Sequence, residues 1–133
     1  MPQLTDNQLT SIAQQFHDLA VAIGQFRLNQ IHGGLSLEDP GIVQLLGLQF
    51  SLLNISSSFA LQAAQVTLAN ADQAASQITS ATNAANAAIK TLGVVNKVIN
   101  IGSAAGVLAA AIMTGDTNQI ATAANGVYTA IKG

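Results

Sequence analysis

The sequence predicts an all-α protein: an elongated helical bundle or long helical hairpin of about four helices, with an apolar Gly/Ala-rich segment near residues 98–113. Two observations carry this reading. Apolar residues recur at alternating spacings of three and four along most of the chain, the period of one helix face. Helix start and stop signals then fall between the periodic runs. A third observation concerns the surface of that fold. Only 8% of the residues are charged, against about a quarter in an ordinary soluble domain. Between Arg27 and Lys90 the only charges are Glu38, Asp39 and Asp72.

The first helix is expected over residues 5–31. Thr5 and Gln8 have the spacing of a capping box, and Ile12, Phe16, Leu19, Ile23 and Phe26 share one face. His32, Gly33 and Gly34 end it, because glycine takes the left-handed conformation that follows a helix at little cost. A second start lies at Asp39 and Pro40: the carboxylate caps free N–H groups, and proline fixes a helical φ where its missing N–H is not needed. From there Leu45, Leu48, Leu52, Ile55, Phe59 and Val66 form a seam with heptad-like spacing. Leu46, Phe50, Leu53, Ala60, Ala64 and Leu68 form another beside it. Two seams imply neighbours on both sides, so this helix is expected to sit centrally in a bundle or to be shared between a bundle and another copy.

Beyond Ala71 the period continues with smaller side chains: Ala74, Ile78, Ala81, Ala85, Ala88, Leu92 and Val95. Unless Asn70 and Asp72 mark a break, residues 40–97 would form one rod of about 85 Å. The face opposite the alanines carries Gln73, Ser76, Gln77, Thr79, Ser80, Thr82, Asn83 and Asn86, which hydrate without charge and can hydrogen-bond across a helix interface. Val98 to Met113 is again uncharged. Its Gly102 and Gly106 have a GxxxG spacing that lets helices approach closely. After Gly115 and Asp116 a short final helix places Ile120, Ala124, Val127 and Ile131 inward, with Lys132 complementing the dipole at its end.

Composition excludes several classes of function. The 133 residues make one domain (1–133) with no cysteine, so thiol redox chemistry is out and a reducing compartment is compatible. Net charge is −2, and Arg27, Lys90, Lys97 and Lys132 are the only basic residues, too few and too scattered in sequence for nucleic acid. Residues 1–72 hold five acids against Arg27, and residues 73–133 hold three lysines against Asp116. Opposite halves can therefore attract, within one chain or between copies. His17 and His32 do not have the spacing of a metal pair, and Glu38 with Asp39 is explained by the cap alone. No catalytic, cofactor or metal residue is expected, and no small-molecule substrate is inferred. The amino-terminal segment lacks the basic start and apolar run of a signal peptide, which implies a cytoplasmic protein or one exported without that signal.

These features lead to a non-enzymatic expectation: a structural or assembly subunit that binds itself or a related helical chain. Its interface positions are Leu45, Leu52, Phe59, Val66, Ala74, Ile78, Ala81, Ala85 and Ala88. Over residues 60–90 the composition is similar to that of the Ala-, Asn- and Gln-rich subunits of bacterial R-bodies, without a shared motif. The second expectation is a membrane-active helical protein of the pore-forming kind, inserting residues 98–113 or 42–61, with Gly102 and Gly106 as membrane or close-packing positions. A third is an adaptor or inhibitor whose groove receives a partner helix.

Overall fold

The computed structural model describes residues 6–61, 71–91, 94–114 and 116–132. All the secondary structure among them is helical: α1 (Asp6–His32), α2 (Pro40–Leu61), α3 (Ala71–Thr91), α4 (Val95–Thr114) and α5 (Thr117–Lys132). The fold is all-helical as expected, and five helices among the described residues are roughly consistent with a bundle of about four.

Local chemistry sets the helix ends. At the end of α1, Leu35 N donates to Gln30 O (3.1 Å) and Gly34 N to Ile31 O (3.0 Å), the paired bonds of a Schellman motif. Its turning residue is Gly34, with φ of 116°, a conformation that strains any residue bearing a Cβ. Asp39 caps α2: its Oδ1 accepts from Gly41 N at 2.9 Å and Ile42 N at 3.4 Å. Asp116 does the same for α5 through Asn118 N at 2.9 Å and Gln119 N at 3.4 Å. Thr5, half of the expected capping box, lies outside the described residues.

Cross-helix contacts fix the direction of every helix. Arg27 Nε donates to Ile42 O (3.3 Å) and Ser56 Oγ to Ala13 O (2.8 Å), so α1 and α2 are antiparallel. Gln8 Nε2 reaches Asp72 Oδ1 (2.9 Å) and Gln15 Nε2 reaches Thr79 Oγ1 (3.2 Å), so α1 and α3 are parallel. Gly41 lies against Val95, and Gly102 against Leu48, which makes α2 and α4 parallel. Since α4 and α5 form a tight hairpin, α1, α3 and α5 point one way and α2 and α4 the other.

Of the two alternatives for residues 40–97, a break or one rod, the break is present, because α2 and α3 run in opposite directions. The central helix is α4, not α2. Among the described residues α2 packs only on α1 and α4, whereas α4 meets all four other helices. Gly102, Ala105 and Ala109 are buried on α4, small residues that let neighbouring helices approach. Around α4 the core gathers Phe16, Leu19 and Ile23 of α1, Ile42, Leu45 and Leu52 of α2, Ile78 of α3 and Ile120 of α5.

Asp39→Ala removes the two bonds that start α2 and is expected to lower stability by about 1 kcal/mol, measured by urea unfolding. An unchanged midpoint would mean that the carboxylate does not hold this helix end.

Candidate interaction surface

The inner face of α2 buries Ile42, Leu45 and Leu52 completely. Its outer face presents Val43, Leu46, Gly47, Phe50, Leu53, Asn54 and Ser57, positions three and four apart that lie along one stripe. Val43 is 54% exposed and Phe50 56%. Leu46 and Leu53 are half-buried beside them, and Gly47, Asn54 and Ser57 are exposed. No residue from Pro40 to Leu61 is charged. The stripe is therefore apolar, edged by small polar groups, and free of ionic repulsion against a similar surface.

Two grooves flank α5. Between α4 and α5 is an open groove of about 570 Å³ lined by Ala104, Val107, Ala110 and Ala111 on one side and by Asn118, Thr122, Ala123 and Gly126 on the other. Val107 is 61% exposed there. A smaller groove of about 320 Å³ between α3 and α5 is polar, with Gln77, Ser80, Asn125 and Tyr128 in its walls. Among the described residues no three His, Asp or Glu side chains gather as metal ligands would. His17 Nδ1 lies 3.9 Å from Asp18 Oδ1 on an exposed surface, a solvated pair.

The residues predicted as interface positions fall mostly inside the single chain. Leu45, Leu52, Ala74, Ile78, Ala81 and Ala85 are essentially inaccessible to solvent, and Ala88 is buried. The side chain of Phe59 and all of Val66 lie outside the described residues. The outward stripe instead uses the other seam of α2, with Leu46, Phe50 and Leu53, and adds Val43. A signal for this was present: Gly47, Asn54 and Ser57 share the face of Phe50, and polar residues interleave with an apolar seam when it faces water.

Gly102 and Gly106 divide in the same way. A Cβ at Gly102 would lie 3.0 Å from Leu48 Cδ1 and 3.2 Å from Ile23 Cδ1, so α1 and α2 both press on α4 there. A Cβ at Gly106 would meet nothing within 4 Å. The hydroxyl and amide face of α3 does join helices: Thr82, itself buried, donates to Gln15 Oε1 at 2.6 Å, while the Gln15 amide donates to Thr79.

No protein-family model, curated protein or solved structure matches this chain.

Gly102→Leu is expected to overpack the centre of the bundle and lose about 1–3 kcal/mol. Gly106→Ala, with space around it, is expected to gain about 0.5–1 kcal/mol from helix propensity. Denaturant midpoints compare the two, and equal shifts would contradict the packing of α4 described above.

Proposed function

We propose that this chain is a non-enzymatic helical subunit that associates with itself or with a related helical chain, serving as a structural or assembly component. The observation that supports this is the outer stripe of α2, where Val43 and Phe50 are more than half exposed and Leu46 is half-buried beside them, on a helix without charge. Apolar area left in water forfeits roughly 25 cal/mol for each Å², and a contiguous apolar patch rimmed by polar groups is the usual mark of a protein contact. Uncharged surroundings add to this, since removing Asn and Ser side chains from water costs less than removing carboxylates or ammonium groups.

A second reading has its own observation. Val95–Thr114 is long and apolar enough to cross a membrane, with a mean hydropathy of 1.5. In the bundle 44% of that window is buried, and the helix contacts every other one. Insertion would therefore require the core to open, whereas contact through α2 requires no rearrangement. The first reading is favoured for that reason.

Phe50→Asp places a charge in the centre of the stripe without touching the core. Light scattering across a concentration series is expected to show wild-type mass rising above 13.5 kDa and the variant remaining a monomer with an unchanged helical circular dichroism spectrum. A wild-type chain that is monomeric at all concentrations would overturn the reading. Dye release from liposomes by the wild type, lost in Gly106→Asp, would favour the membrane reading in its place.

A further inference from the structure

α3 is held in the bundle by less than its neighbours are. The only apolar side chains larger than alanine that it places in the core are Ile78 and Ile89, and the rest of its buried face is Ala74, Ala75, Ala81, Ala85 and Ala88 with Thr82. α5 is shorter, 16 residues against 21, yet it buries Ile120 and Val127 and packs Tyr128 and Ile131 against the core. A face of alanines removes little apolar area from water, so each turn of α3 gains less from packing.

Polar groups weaken both of its seams. Gln77 stands in the wall of the groove between α3 and α5. Asn86 lies four residues beyond Thr82, on the face from which Thr82 bonds Gln15 of α1. Gln77 Oε1 and Asn86 Oδ1 are both buried and accept no hydrogen bond. A buried acceptor without a donor carries a desolvation penalty that contact with water removes. Detaching α3 relieves two such penalties together, one on each side of the helix.

The order of packing makes α3 separable. Among the described residues α1 and α5 do not touch, while α1 meets α2, α2 meets α4 and α4 meets α5. α3 packs on α1, α4 and α5 and bridges the gap between the first and the last. Without it, four helices remain joined by unbroken contacts. We propose that α3 is a strap, which leaves the bundle by itself in a local opening and uncovers a groove bordered by α1, α4 and α5. The bonds of Gln8 to Asp72 and of Gln15 to Thr79 part in that step, and amide, carboxylate and hydroxyl all regain water. The outer stripe of α2 takes no part, so the opening is independent of whether copies associate.

Hydrogen exchange of the whole chain tests this, under conditions in which the rate reports the opening equilibrium. Amides of residues 78–86 in α3 are expected to exchange about tenfold faster, or more, than those of residues 101–109 in α4. Gln77→Met nearly keeps the side-chain volume and removes one unpaired oxygen. It is expected to slow residues 78–86 about tenfold and to leave α1, α4 and α5 unchanged. Asn86→Ala is expected to slow them more than Asn83→Ala, since Asn83 is exposed and its replacement gains helix propensity alone. Equal protection in α3 and α4 would overturn the proposal, because α3 would then open only with the whole bundle. Slowing shared by every helix would overturn it for the same reason. No slowing in Gln77→Met, or Asn86→Ala matched by Asn83→Ala, would also overturn it, because the buried oxygens would not be what loosens α3.

Discussion

The close approach of helices through glycine and alanine is the constraint on which the rest of this structure depends. Gly102 lets Leu48 of α2 and Ile23 of α1 bear on α4 at one level, and Ala105 and Ala109 keep the same helix thin along its buried side. Small side chains bury little area apiece, so no single pair of such helices would be well stabilised. Contact of α4 with each of the other four helices compensates. The described helices run alternately up and down, which brings Arg27, Lys90, Lys97 and Lys132 to one end of the bundle.

Polar links within the bundle rely on amides and hydroxyls. Gln15 joins Thr79 and Thr82, Ser56 joins Ala13, and Gln8 joins Asp72. Such bonds fix how one helix slides along its neighbour while avoiding most of the desolvation that buried ion pairs incur. They also explain how a chain with so few charges specifies its register. The few charges present sit near helix ends or on the exposed surface, and they give the molecule its electrical polarity.

Much of the fold was legible in the sequence because its signals are local. Asp39 and Pro40, Gly34, Asp116 and the three-and-four periodicity all act within a turn or two, and the helix ends fall where they point. Packing was less legible. Two apolar seams on α2 suggested two neighbours, but periodicity records that a face is apolar and not what covers it. Leu45 and Leu52 are covered by the chain itself, and Phe50 is not. The GxxxG spacing likewise identified one close approach, at Gly102, and could not show that Gly106 has space around it. The grouping of the four cations was beyond sequence reading altogether, since Arg27 and Lys132 come together only through the direction of five helices.

The core closes within a single chain around α4, and the outer face of α2 is the surface proposed to meet a second copy. Hydrogen exchange followed by mass spectrometry, repeated over a range of protein concentrations, tests both halves at once. The result expected is slowest exchange in α4 at every concentration, together with protection between Val43 and Ser57 that rises as the protein becomes more concentrated. Rapid exchange in α4, or protection of α2 that stays constant while the mass of the particle grows, would contradict it.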